Sequence, residues 1–208
     1  MDAVDLAFAL VGDTLPLDHG YALYASLCRV VPALHQHRQI GVHPIRGEAM
    51  GEGCMRLTER SLLRIRTPAE SIPCLLPLAG KNLEVDGHKL RLGVPQVFAL
   101  KPAMTLVARV VTIKGFLDPV TFLDAARRQV GEMGLPDSVT LQVPLHALAR
   151  LNAGQPIRRT LRVKDKTIVG FPLRVEGLAL NDSLTLQSRG LGGRRHMGCG
   201  VFLPVRDQ

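Results

Sequence analysis

Gly190-Leu191-Gly192-Gly193-Arg194-Arg195-His196-Met197-Gly198-Cys199-Gly200 holds five glycines, two arginines and a histidine, and Val201-Phe202-Leu203-Pro204-Val205 follows as a strand-like run. Glycine admits positive φ and lets a backbone come close to a partner. Successive backbone N–H groups, together with guanidinium forks, make a cradle for phosphate oxygens. The stretch departs from two familiar phosphate loops. No Gly-Lys-Ser/Thr follows, as a Walker loop requires. Arg195 stands where a dinucleotide fingerprint needs its last glycine. The plainer alternative is a flexible connection before an edge strand.

Upstream of this stretch, the second half of the chain reads as strand, helix, strands, helix, strand. Leu106–Ile113 is a continuous apolar run suited to a buried strand. Asp118 is placed to cap a helix that has Pro119 at its first position, a stripe of Phe122, Leu123, Ala126 and Val130, and Gly134 as its stop. Strands are predicted at 139–143, 160–163 and 168–175, and Asn181 or Asp182 can cap a last helix over 183–189. The first half repeats the order. A strand over 4–11 precedes a helix from His19 to Val31 with Tyr21, Tyr24, Cys28 and Val31 on one stripe. Pro32 ends it. A strand over 40–45, an exposed loop over 47–53 and a strand or strand pair over 56–66 come next. A short helix over 70–78 is weakened by Pro73 and Pro77, and Asp86-Gly87 turns a hairpin. The predicted class is α+β: two tandem ferredoxin-like domains, residues 1–100 and 101–208, the second carrying the C-terminal glycine-rich loop.

The chain has 208 residues and a net charge of +8, and the placement of that charge matters more than its size. Residues 1–100 hold ten Lys/Arg against ten Asp/Glu, and residues 101–208 hold sixteen against eight. An excess confined to one half fits a polyanionic partner. Arg158, Arg159, Arg162, Lys164 and Lys166 cluster in a predicted hairpin arm. Arg189, Gly190, Gly192, Gly193, Arg194, Arg195 and His196 add candidate phosphate contacts in and beside the glycine-rich loop. With no tryptophan, two tyrosines and six phenylalanines, binding by stacking many bases is poorly supplied.

His35 and His37 form a polar corner just past the first helix, with His43 nearby. Histidine moves protons near neutral pH. His19, His88 and His146 read as surface residues, and Tyr21 and Tyr24 default to packing. No ligand spacing suggests zinc, no acidic pair suggests two-metal chemistry, and the scattered Cys28, Cys54, Cys74 and Cys199 read as reduced thiols. No metal, no small-molecule cofactor and no membrane span are expected, and a cytoplasmic setting follows. Nuclease chemistry on such residues would be metal-free attack by an RNA 2′-hydroxyl on the adjacent phosphate.

These features together resemble the CRISPR repeat-processing endoribonucleases of the RAMP superfamily, over nearly the whole chain. The glycine-rich stretch and its strand resemble that family's C-terminal loop. Lys166-Thr167-Ile168-Val169-Gly170-Phe171-Pro172-Leu173-Arg174-Val175-Glu176-Gly177 resembles the strand before its last helix. Leu15-Pro16-Leu17-Asp18-His19-Gly20-Tyr21, through Ala33-Leu34-His35, resembles its first helix with a closing Leu-His. The resemblance implies cutting of precursor CRISPR RNA without a metal, leaving a 2′,3′-cyclic phosphate and a 5′-hydroxyl. It makes His35 the general acid or base and Tyr21 its neighbour. Tyr24 stands where some branches carry a histidine, so His19 and His37 stay open as alternatives. Arg38 or Arg46 would fill the charge role of a family lysine. The implied partners are the CRISPR repeat RNA and other subunits of an effector complex. The competing reading is an inert RNA-binding subunit of such a complex.

Overall fold

The computed structural model describes residues 3–37, 39–147 and 152–205. Its first strand, β1 (Ala3–Val11), is buried on both faces over Asp5 to Phe8 and more exposed toward its end. Leu6 and Phe8 point to one face and are fully buried, while Asp5 and Ala7 point to the other. Burying a side chain such as Leu6 or Phe8 contributes about 2 kcal/mol. After β1 come β2 (Thr14–Pro16), α1 (Gly20–Val30), β3 (Gly41–Val42), β4 (Glu48–Gly51), β5 (Cys54–Arg56), β6 (Leu62–Pro68), α2 (Ile72–Leu75), β7 (Asn82–Val85) and β8 (His88–Ala99). The main sheet is antiparallel in the order β3-β6-β1-β8-β7. Without the edge strand β7, this is the second, third, first and last strand of a βαββαβ unit, which is ferredoxin-like. Leu23 and Leu27 of α1 pack against Leu6, Phe8, Leu63 and Ile65.

Several local expectations change. The buried stripe of α1 is Leu23, Ser26, Leu27 and Cys28, and both tyrosines are only half-buried at its margin. The predicted loop over 47–53 contains β4, which with β5 and β2 makes a small second sheet. The 56–66 segment is neither one strand nor a pair, because a turn at 58–61 separates β5 from β6. Pro73 and Pro77 confine α2 to four residues between two 3-10 turns, since proline removes a donor and clashes with the preceding turn. The Asp86-Gly87 turn takes positive φ at both residues, 51° and 82°, as a two-residue hairpin of this kind needs.

The second unit is built from β9 (Thr105–Val111), α3 (Pro119–Glu132), β10 (Thr140–Gln142), β11 (Arg159–Val163), β12 (Lys166–Glu176), α4 (Leu180–Arg189) and β13 (Phe202–Pro204). Its sheet order, β10-β12-β9-β13, is again ferredoxin-like. Asp118 caps α3 by accepting from the Val120 and Thr121 N–H groups. α4 starts earlier than expected, at Leu180, so Asn181 and Asp182 lie inside its first turn rather than capping it. Phe122 and Phe171, 4.9 Å between ring centroids, anchor a core with Leu106, Leu173, Leu186 and Phe202. β12 is long because it has two sets of partners. Residues 166–170 pair only with β11, forming a projecting arm, and 171–176 pair with β9 and β10.

The chain divides into two compact units, Met1–Leu100 with His196–Gly198, and Lys101–Arg195 with Cys199–Gln208. Three residues of the glycine-rich stretch thus belong to the first unit. Among the described residues, no helix is long and apolar enough to cross a membrane.

Candidate functional site

Pro32 ends α1 and opens a five-residue 3-10 turn, Pro32–Gln36. Its side chains fan outward, with Leu34 buried and His35 exposed. The Tyr24 hydroxyl donates to the Leu34 carbonyl at 3.2 Å and ties this turn to α1. The Tyr24 ring meets His35 edge-on, with centroids 5.8 Å apart and planes at 82°. The same ring meets His196 at 4.3 Å and 44°. One phenol therefore contacts two imidazoles, all within the first unit. Burial pushes the Tyr24 hydroxyl up to about 12, with a further contribution from its bond to Cys28, so it stays protonated and acts as a donor.

Tyr21, one helical turn before Tyr24, is half-buried. The tyrosine whose ring meets His35 is Tyr24. His37 is half-buried at the end of the 3-10 turn, and Arg38 lies outside the described residues. Arg46 is exposed.

The other histidines separate by burial. His19, expected at the surface, is a core residue. Its Nδ1 donates to the Pro16 carbonyl at 2.8 Å and its Nε2 accepts from the Ile45 N–H at 3.0 Å, which fixes one neutral tautomer. His43 is buried, with Nε2 donating to Asp5 Oδ1 at 3.2 Å. His88 bonds Thr14 Oγ1 at 2.8 Å. Among the described residues, no group of three or more His, Cys, Asp or Glu is placed to hold a metal ion. The side chains that meet at this corner are two imidazoles and a phenol.

The glycine-rich stretch differs from the expected cradle of bare N–H groups. Gly190 donates to the Leu186 carbonyl at 2.8 Å, Gly193 to Thr112 at 2.9 Å and Gly200 to Val110 at 2.8 Å. Gly192 donates to Gln129 Oε1 at 2.9 Å. Gly190 and Gly192 serve close packing instead. Gly190 and Gly192 have φ of +67° and +73°, and a Cβ on either would come 2.5 Å from a carbonyl oxygen. Arg195 is buried against Gly190. Facing outward are Arg189 and Gly193, which are exposed, and Arg194, half-exposed at a left-handed φ of 62°.

The arm places its cations as alternation dictates. Arg158, Arg159, Arg162, Lys164 and Lys166 are all exposed. Arg159 shares a face with Leu161 and with Lys166, which pairs across from Val163, whereas Arg162 lies on the other face opposite Thr167. Lys164 takes φ of 55° in the two-residue turn.

Two ferredoxin-like units in tandem, with a histidine corner after the first helix, are the architecture of this chain. The sequence model of the Cas6 Crispr family matches residues 4–207. The CRISPR-associated endonuclease Cas6 of Myxococcus xanthus (strain DK1622) is 41% identical over 201 residues, which cover 97% of this chain and 81% of that protein. The chain belongs to the Cas6 family. Two solved structures share its fold. A Cas6-related protein from Pyrococcus furiosus has a TM-score of 0.71 at 17% identity, covering 99% of this chain and all of that one. A RAMP protein described as binding different RNA substrates has a TM-score of 0.71 at 15% identity with the same coverage.

The sequence left Tyr24 open as an alternative catalyst beside His19 and His37, but it did not single out His196 for the reaction. Tyr24 looked like core, and His196 like a phosphate ligand. Nothing in local spacing joins residues that lie on different elements so far apart in the chain. The one available signal was the glycine density around His196, which marks close backbone approach as readily as phosphate binding.

Proposed function

We propose that this Cas6-family chain is an endoribonuclease that binds the repeat of precursor CRISPR RNA and cuts it without a metal ion. The observation that carries the reading is His35, an exposed imidazole on the 3-10 turn after α1, held beside a tyrosine ring. The RNA 2′-oxygen attacks phosphorus, the bond to the 5′-oxygen breaks, and His35 handles a proton in that step. Tyr21, on the same helix as Tyr24, helps to orient the reacting groups. The arm residues Arg158, Arg159, Arg162, Lys164 and Lys166, with Arg189, Arg194 and the surrounding loop, engage phosphates, which gives salt-dependent affinity. Specificity comes from hairpin shape or unpaired bases. The cut RNA is the mature guide, available to other subunits of an effector complex.

The test is cleavage, in EDTA, of the repeat RNA encoded beside the gene. Wild type is expected to cut, and a 2′-deoxy sugar just upstream of the cut is expected to abolish cleavage. His35→Ala should lose about 100-fold or more in rate, the usual contribution of a general acid or base. Activity that disappears in EDTA would overturn the metal-free mechanism. Full activity in His35→Ala would remove His35 from it.

A further inference from the structure

We propose that His196 is the second proton-transfer residue of this site, paired with His35 through the Tyr24 ring that both contact. The inference rests on the endoribonuclease reading and supplies a group that reading leaves open. In the transesterification the 2′-oxygen forms a bond to phosphorus while the bond from phosphorus to the 5′-oxygen breaks. The 2′-hydroxyl proton must go to a base, and the departing 5′-oxygen must receive a proton from an acid. One imidazole starts neutral and ends protonated, the other does the reverse, and solvent exchange resets both. The attacking and leaving oxygens lie on opposite sides of phosphorus, so two positioned groups serve where one cannot reach both.

Three observations place His196 in that role. Its ring lies 4.3 Å from the Tyr24 ring whose other imidazole neighbour is His35. The backbone around it is held firmly. Met197 packs so close to the start of α1 that a Cβ on Gly20 would lie 2.5 Å from the Met197 oxygen. Gly198, at φ +88°, sits where a Cβ would come 3.0 Å from Pro44 Cγ. A phosphate ligand on a flexible loop needs no such clamping, whereas a proton-transfer group gains directly from fixed geometry. Finally, Tyr24 is unsuited to be the second group itself. Its hydroxyl proton is directed at the Leu34 carbonyl rather than toward a substrate, and the phenol, held protonated, cannot act as the base. It is a positioning residue for both imidazoles.

The test is single-turnover cleavage of the repeat RNA in EDTA at saturating enzyme, with wild type, His196→Ala, His196→Gln and His35→Ala. Each is compared on natural RNA and on RNA with sulfur replacing the 5′ bridging oxygen at the cut. A thiolate leaves without needing a proton. Both His196 variants should bind with Kd within about threefold of wild type yet cut natural RNA about 100-fold or more slowly. The bell-shaped pH–rate profile should lose one limb in each. The sulfur substrate should restore the rate of one variant, His35→Ala or His196→Ala, and not of the other. Weakened Kd with an unchanged saturating rate would overturn the proposal and leave His196 a phosphate contact. A slowed rate with both limbs intact, or sulfur rescue of both variants or neither, would also overturn it. If wild type itself does not cut, the endoribonuclease reading fails, and this inference with it. Normal cutting by wild type and both His196 variants would sink only the inference. His196→Gln keeps the residue's bulk, so loss of folding in His196→Ala alone would not obscure the result.

Discussion

Asp5 and Arg66 face each other across β1 and β6 and join at both carboxylate oxygens, Nε to Oδ1 at 2.8 Å and Nη2 to Oδ2 at 3.1 Å. Both are buried, on the sheet face away from Leu6 and Phe8. His43 donates to the same Oδ1, and Arg64 approaches Oδ2 at 3.8 Å. Burial works to raise the Asp5 carboxyl, but the hydrogen bonds from His43 and Arg66 outweigh it and hold it well below the usual carboxylate range.

That network predicts an acid-side loss of stability that starts well above carboxylate titration. Burial pushes the His43 imidazole down, against the pull of Asp5. The unfolded chain then takes up a proton at about pH 6.5 that the folded one resists, so stability falls as pH drops below that value. Asp5, depressed in the fold, adds its own loss only at lower pH, beginning near the unfolded value of about 3.9. Urea midpoints measured across this range should fall below about pH 6.5, and the fall should be shallower in His43→Gln, which keeps a donor for Asp5 without the titration. Equal slopes in the two proteins would rule out His43 as the source.

The glycines of the C-terminal stretch should differ sharply in their tolerance of a methyl group. Gly200 has φ of +62° and a Cβ there would collide with the Leu191 carbonyl. Gly193, by contrast, has its nearest Cβ contact at 3.9 Å and no positive φ. Gly200→Ala should cost about 2 kcal/mol or more, from strain and collision together, and Gly193→Ala about 0.5 kcal/mol or less. Chemical denaturation of the two variants checks this. Equal stabilities would mean that the stretch is looser than its hydrogen bonds imply.

Much of this architecture was legible in the chain. The apolar run of β1, the Asp118-Pro119 helix start and the Asp86-Gly87 turn each act over a few residues, where pattern and local chemistry decide the outcome. What escaped depends on partners far along the sequence. His19 looked like a surface residue because burial of a single histidine leaves no trace in its neighbours. The N–H groups of Gly192, Gly193 and Gly200 looked available because their acceptors, on Gln129, Thr112 and Val110, are fixed only by the packed second unit. The same limit hid the placement of His196 against Tyr24, whereas the turn that carries His35 was legible because it follows directly from Pro32.

The arm can be separated from the cutting chemistry by salt. Arg159 and Lys166 are exposed on one face of the β11–β12 hairpin and carry no role in the proton transfers proposed for the first unit. Each phosphate they neutralise releases condensed counterions, so removing one contact should flatten the plot of log K against log salt by about 0.7 for a single strand or 0.9 for a duplex. Arg159→Ala and Lys166→Ala should each weaken binding of the repeat RNA and reduce that slope, and the double variant should do both roughly additively. Their single-turnover rates at saturating enzyme should match wild type, because the loss is in affinity alone. A rate defect that saturation does not repair would place these cations near the reacting phosphate. An unchanged salt slope would remove the arm from the binding surface.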